Sequence, residues 1–279
     1  MSISVERCSG ELGAVVRDLD VRDLDDATFA EVLQAWSEHL VLFFPGQHLS
    51  PTEQRDFAAR FGPLEQHPLT EKFDDTPEIT VLHSDRGGRA DVWHTDVTFS
   101  EHPPIAAVLQ QISGPEVGGD TMWTNQYLAF ERLSAPLRSL LEGLTAVHSA
   151  WPQGRPDLTA ERPVVITHPV TGRKALAVNR QFTIRIPQLE KGASDALLGH
   201  LFDAGDQPDL SVRWRWTPGD VVIWDNRCTR HYAIGDYECE RVMHRVTVLG
   251  DYAEPYAPSP WPAHDTGRLS AQSSFSLFR

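Results

Sequence analysis

The sequence predicts a β-rich core with flanking helices, in the manner of a barrel or jelly roll, and three observations carry that prediction. From residue 78 onward, short runs rich in β-branched and aromatic residues recur between turn residues. In Val212-Arg213-Trp214-Arg215-Trp216 the apolar residues alternate with arginines, the period of a strand with one face buried. Stretches of helical periodicity either precede the β-rich part or interrupt it as inserts.

Taken in order, residues Asp25 to Leu40 place Phe29, Val32, Leu33, Trp36 and Leu40 at helical spacing, which predicts an amphipathic helix. A strand over Val41 to Phe44 follows and stops at Pro45-Gly46. Ser50-Pro51-Thr52-Glu53 combines an N-cap serine, a proline at the first helical position and a capping-box glutamate, so a helix starts there and ends by Gly62. The predicted strands are Ile79 to Leu82, Ile105 to Ile112, Thr121 to Thr124, Val164 to Thr167, Lys174 to Val178, Val212 to Trp216, Val221 to Trp224 and Val242 to Leu249. Helical inserts are predicted at Leu128 to Leu144 and Asp195 to Ala204. The end of the chain, with Pro255, Pro258, Pro260 and Pro262 before a Ser-rich stretch, reads as an irregular tail that is mobile or packs on a neighbouring subunit.

A chain of 279 residues is long enough for one large domain, and β-barrel domains of roughly 200–250 residues are common. The first residues lack the apolar stretch of a signal peptide, and the longest apolar run, Leu40 to Phe44, is far too short to cross a membrane. A cytoplasmic protein is expected. Cys8, Cys228 and Cys239 show no close pairing pattern and read as reduced thiols. A net charge of −14 argues against a nucleic-acid partner, which needs a basic face. Yet Arg213, Arg215, Arg227, Arg230, Arg241 and Arg245 crowd one lysine-free stretch, consistent with a small anionic substrate. For four of the six the plainer reading holds, as ion-pair partners of Asp220, Asp225, Asp236 and Glu240.

Residues two apart on an extended segment point to the same side, so His94 and Asp96 can hold one ion. Alone, that spacing equally describes a surface histidine beside a surface aspartate. The balance shifts with Gly219 to Tyr232, where a buried strand runs into a polar turn and then His231. Two neutral imidazoles and a carboxylate on one face of an octahedral ion leave three sites open, the facial triad of non-haem iron(II) oxygenases. The same donors also serve catalytic zinc, which leaves a hydrolase open, and a non-enzymatic barrel for organic acids is a third reading.

Five segments, Trp93 to Phe99, Gly118 to Trp123, Trp214 to Trp216, Ile223 to Arg227 and Arg241 to Arg245, resemble in that order the taurine dioxygenase (TauD/TfdA) family. The likeness covers roughly residues 10 to 252. It implies a double-stranded β-helix (jelly-roll, cupin-like) core and a single Fe(II)/2-oxoglutarate dioxygenase domain over residues 1–252, with 253–279 as the tail. It also implies a homo-oligomer. His94, Asp96 and His231 match the iron ligands; Thr121 and Arg241 match the groups that hold the distal carboxylate of the cosubstrate 2-oxoglutarate. Arg245 matches the arginine for the substrate's anionic head, His67 a histidine that helps hold it, and Phe182 an aromatic wall of the substrate pocket. Taken alone, Thr121, Phe182 and His67 read as an ordinary strand residue, core aromatic and loop histidine. Arg241 and Arg245, four apart on one strand, share a face and would repel unless each met an anion. Neither the hydrolase nor the binding barrel explains Thr121 and Arg241 together.

The resemblance implies consumption of dioxygen and 2-oxoglutarate, release of succinate and CO2, and hydroxylation of a small sulfonate, sulfate or carboxylate. Asp96 separates the chain from related halogenases, which have a small residue there. Taurine or a related alkanesulfonate, giving sulfite and an aldehyde, is the first expectation; an alkyl sulfate or an aryloxyalkanoate is the alternative. Taurine enzymes of the family carry a tyrosine three residues after the substrate histidine and an asparagine four before the first ligand, where this chain has Thr70 and Ala90. The segment from His148 to Val164, which lends lid residues in the family, is short.

Overall fold

The computed structural model describes residues 3–66, 73, 75–84 and 90–264. In chain order the first elements are β1 (Ser4–Arg7), β2 (Ala14–Arg17), α1 (Asp26–His39), β3 (Val41–Phe44), α2 (Pro51–Ala59), β4 (Ile79–His83) and β5 (Ala106–Ser113). Next come β6 (Thr121–Asn125), α3 (Gln126–Glu131), α4 (Ala135–Leu141), β7 (Thr145–Ala150), β8 (Arg155–Pro163), β9 (Val165–Thr167) and β10 (Lys174–Leu176). The last are β11 (Thr183–Arg185), α5 (Lys191–Gly205), β12 (Ser211–Trp214), β13 (Val221–Asp225), β14 (Thr229–Ala233) and β15 (Val242–Val248).

Seven strands form one sheet in the order β1-β2-β3-β13-β5-β15-β4. Its pairs are antiparallel except β2 with β3. Because side chains alternate across a strand, this sheet feeds two cores. One face sends Ala14, Leu42, Phe44, Val108, Ile223 and Val246 against Phe29, Val32 and Trp36 of α1 and Phe57 of α2. The other sends Val41, Phe43, Leu109, Val222, Trp224 and Met243 toward Trp123, Val212 and Trp216 on and beside the sheet β12-β6-β14. Two sheets facing across a common core form the jelly roll that the sequence predicts. A third core gathers α3, α4 and α5 over β9 and β10, next to the sheet β11-β7-β8.

The helix starts are local chemistry. Asp25 caps α1 by accepting from Thr28 N (2.7 Å), and Leu40 ends it in a left-handed conformation with its N–H on Trp36 O. Leu33, placed on the apolar stripe by spacing, is 37% exposed. Ser50 and Glu53 form the complete capping box of α2, worth about 1 kcal/mol for the serine alone. The insert predicted as one helix over Leu128 to Leu144 is two helices. Pro136 cannot donate and would clash with the Arg132 carbonyl in a continuous helix, so α3 ends and α4 restarts with the proline in its first turn. Helix α5 begins four residues before the predicted start, where Lys191 pairs with Asp195 one turn on.

Strands β1, β2, β7, β8, β11 and β14 lie outside the predicted set. Much of β8 is exposed, so no buried face marks it. Strand β14 buries Thr229, Arg230 and His231 in succession and reads as a turn by composition. Residues 253–264 hold no helix or strand and lie across the domain's own surface. Glu254 N donates to Thr167 O (2.9 Å), Ser259 Oγ to Gly143 O (2.6 Å) and His264 N to Pro187 O (2.7 Å). Gly143 lets the Trp261 ring lie close against the backbone there; a Cβ would overlap the ring and push it aside. No helix among the described residues is long and apolar enough to cross a membrane.

Candidate metal centre and active site

The structure brings His94, Asp96 and His231 together between the two sheets, with one donor atom from each within 4.8 Å of the others. A single antiparallel bridge achieves this: His94 N donates to His231 O (3.0 Å) and His231 N to His94 O (2.7 Å). His231 rides on β14 opposite Trp123, with its ring 4.9 Å from that of Trp224. The three residues are 5%, 7% and 7% exposed in the order His94, Asp96, His231.

His94 Nδ1 lies 2.7 Å from Val92 O, an acceptor only, so this nitrogen carries the proton. That leaves the Nε2 lone pair for an ion, and Nε2 stands 3.7 Å from Asp96 Oδ1; His231 Nε2 stands 3.8 Å from the same oxygen. Burial pushes the His94 imidazole below its ordinary value and that of His231 down to about 3. Burial pushes Asp96 up, but His231, Arg245 and His94 outweigh it and hold the carboxyl below its usual range. With both imidazoles neutral at pH 7, Arg245, Nη1 3.5 Å from Asp96 Oδ1, is the cation in contact with this carboxylate among the described residues. Two neutral nitrogens and one carboxylate suit a first-row divalent metal.

Arg241 is 8% exposed, and its Nε and Nη2 find no acceptor among the described residues. Its guanidinium lies 5.8 Å over the Trp216 ring. Trp216 Nε1 in turn donates to Thr121 Oγ1 (2.9 Å), and among the described residues the threonine hydroxyl proton is left for a further acceptor. Thr121 and Arg241 therefore meet around one indole. Arg245 Nε is likewise without a partner among the described residues, although Nη1 reaches Asp96. Arg241 directly precedes β15, on which Met243 and Arg245, two apart, share a face, Met243 packing into the inter-sheet core.

Phe182 is buried with its ring 6.2 Å from His94, edge to face, and 5.0 Å from Phe99. With Ala150 and Val97 these two rings form a small apolar cluster beside the trio. His67 and Thr70 lie outside the described residues; Ala90 sits next to β14, its carbonyl accepting from Ala233 N (2.9 Å).

The remaining arginines of the cluster have structural partners, of which Asp225 alone is among the four carboxylates expected. Arg213 pairs with Asp120 (2.6 Å), Arg227 with buried Asp225 (2.6 Å) and fully buried Arg230 with Asp206 (2.8 Å), while Arg215 donates to Glu116 O (2.6 Å). A second trio, His168, Asp225 and Cys228, also has converging donor atoms. Its lone pairs are spent: His168 Nδ1 accepts from Val170 N and Thr171 N, Nε2 donates to Asp225, and Arg227 forks onto the same carboxylate. Burial pushes the Cys228 thiol well up, which keeps it a neutral core group.

Asn226 is the site residue whose role the sequence does not disclose. Its Oδ1 accepts from Asp96 N (2.9 Å) while its Nδ2 donates to Asp96 O (3.1 Å) and Pro104 O (2.9 Å), clamping the segment that carries the aspartate. The contact spans 130 positions, and no short-range pattern signals it.

Residues 4–247 match the family described as taurine catabolism dioxygenase TauD, TfdA family. The chain is 38% identical over 272 residues to the alkylsulfatase of Acinetobacter baylyi, covering 89% of this chain and 86% of that protein. It is 37% identical over 274 residues to the alpha-ketoglutarate-dependent sulfate ester dioxygenase of Pseudomonas putida, covering 90% and 91%. The crystal structure of a taurine dioxygenase from Burkholderia xenovorans matches with a TM-score of 0.83 at 35% identity, over 90% of this chain and 92% of that one. By fold, by the length of the match and by identity, the chain belongs to the TauD/TfdA family of alpha-ketoglutarate-dependent dioxygenases.

Proposed function

We propose that this chain binds Fe(II) through His94, Asp96 and His231 and hydroxylates the carbon next to the anionic head of an alkyl sulfate ester or alkanesulfonate. The observation that carries the reading is a pair of guanidiniums, Arg245 beside the trio and Arg241 over Trp216, each with buried N–H groups and no acceptor for them among the described residues. Such donors are costly to leave unmet, and an anion satisfies them. Arg241 and the hydroxyl proton of Thr121 fit the distal carboxylate of 2-oxoglutarate. Arg245, close to Asp96, fits the substrate head, and His67 is assigned to the same head by its place in the sequence.

Iron and 2-oxoglutarate, when bound, supply the dioxygen chemistry, in which one oxygen atom enters succinate as CO2 leaves and the other enters the substrate. The chain's own residues bind and orient. Val97, Phe99, Ala150 and Phe182 exclude water beside His94 and offer contact to an alkyl chain, where taurine would present an ammonium. The resulting hydroxylated carbon collapses to an aldehyde, releasing sulfate from an ester or sulfite from a sulfonate.

The test is anaerobic addition of Fe(II) and then 2-oxoglutarate, followed by oxygen with alkyl sulfates and alkanesulfonates of increasing chain length and with taurine. The expected results are a visible metal-to-ligand charge-transfer band and succinate matched one to one by sulfate or sulfite, with longer alkyl chains preferred. A kcat/KM for taurine above that of every alkyl sulfate would return the assignment to taurine. No band would remove the trio from the metal role.

A further inference from the structure

Val97, directly after Asp96, has a φ of +54°. A β-branched residue in the left-handed region is an outlier that persists only where its surroundings over-determine it. The turn is pinned on both sides. Before Val97, Asn226 clamps Asp96, and Thr95 Oγ1 donates to Thr229 O (2.9 Å). Beyond it, pins come from the β7–β8 hairpin and the loop after β10. His148 Nδ1 lies 2.9 Å from Thr98 Oγ1, which Asn179 Nδ2 also reaches (3.1 Å). Arg162 supplies the rest: Nε donates to Thr98 O (2.9 Å), and Nη2 donates to Ser100 O and to Glu101 O (2.9 Å). This guanidinium has no carboxylate within ion-pair distance among the described residues; its fork is spent on three main-chain carbonyls, with the Tyr252 ring behind it at 5.8 Å. A lysine, with one compact ammonium on a flexible stem, cannot span the three.

We propose that Arg162 is a positioning residue for the metal centre: it holds the strained turn at Val97 that fixes the Asp96 carboxylate between His94 and His231. The inference rests on the reading of those three residues as metal ligands. Without Arg162 the turn relaxes toward negative φ at Val97, and Asp96 leaves the place where both imidazoles meet it. Groups that orient a metal's ligands commonly carry such weight, and Arg162 acts on Asp96 through the turn that follows it.

The experiment measures Mn(II) affinity of the metal-free full chain by calorimetry, the thermal midpoint, and the ratio of succinate to hydroxylated product. The variants are Arg162→Met, Arg162→Lys, Val97→Gly, Arg162→Met with Val97→Gly, and Asp96→Ala. Arg162→Met is expected to weaken Mn(II) binding about 10- to 100-fold and to uncouple succinate from product, with Arg162→Lys between it and wild type. Glycine adopts the turn without strain, so Val97→Gly should leave wild-type Mn(II) affinity little changed and restore much of the Mn(II) affinity that Arg162→Met loses, the coupling being read only in the single Arg162 variants because Val97 also lines the apolar cluster. A lowered thermal midpoint with wild-type Mn(II) affinity in both Arg162 variants would reduce Arg162 to a staple of the hairpin and overturn the proposal. Lost affinity that Val97→Gly does not restore would overturn the strain route. Wild-type Mn(II) affinity in Asp96→Ala would instead overturn the ligand assignment on which the proposal stands.

Discussion

His94 and His231 exchange both main-chain hydrogen bonds, at 3.0 and 2.7 Å, and their ring centroids stand 4.0 Å apart. The bridge fixes the two imidazoles by backbone, so a change at the third member of the trio need not disturb them. Asp96→Ala is therefore expected to abolish succinate and product formation while far-UV circular dichroism stays that of the wild type. Unchanged turnover in the variant would take Asp96 out of the site.

Arg241→Ala removes the buried guanidinium over Trp216. Truncating one side of a desolvated charge pair costs about 2–5 kcal/mol, so the KM for 2-oxoglutarate should rise by roughly 30-fold or more. A titration with wild-type cosubstrate affinity would assign Arg241 to the scaffold instead.

Arg245→Leu should leave the 2-oxoglutarate requirement nearly unchanged and weaken every anionic substrate, because the head group loses a forked, charge-assisted contact. Steady-state kinetics across alkyl sulfates, alkanesulfonates and aryloxyacetates, following succinate and product together, checks this. Loss of 2-oxoglutarate binding with substrate affinity intact would exchange the roles of the two arginines.

His148 is fully buried, and burial, reinforced by Arg162, pushes its imidazole down to about 3. The unfolded chain takes up this proton near the ordinary 6.5 and the folded chain refuses it until about 3, so the unfolded state binds more protons in that window. Stability is full above about 6.5 and falls as pH drops, by up to about 1.4 kcal/mol per pH unit from this residue. Urea denaturation of the metal-free chain at about pH 7 and about pH 5 should show the loss. His148→Gln should reduce the slope without abolishing it, because His231 is held down to about 3 as well, and an equal slope in the variant would show that other groups carry it.

The residues determined by themselves whatever depends on a short window of chain. The capping box at Ser50 and Glu53, the strand Val41–Phe44 and the alternation along β12 follow from spacing and side-chain chemistry within a few positions. So does the pairing of His94 with Asp96 in one motif. Tertiary structure decided the rest. Strand β14 carries three buried polar residues in a row, a pattern that is affordable only because Asp206 meets Arg230 from α5's end and Thr229 Oγ1 turns back to Asp225 O. The meeting of Thr121 with Arg241 around Trp216, the clamp of Asn226 on Asp96 and the fork of Arg162 on Thr98, Ser100 and Glu101 all join segments far apart in sequence. Propensity and period are properties of neighbouring residues, whereas a buried donor's choice of acceptor is set by which strands the topology lays side by side.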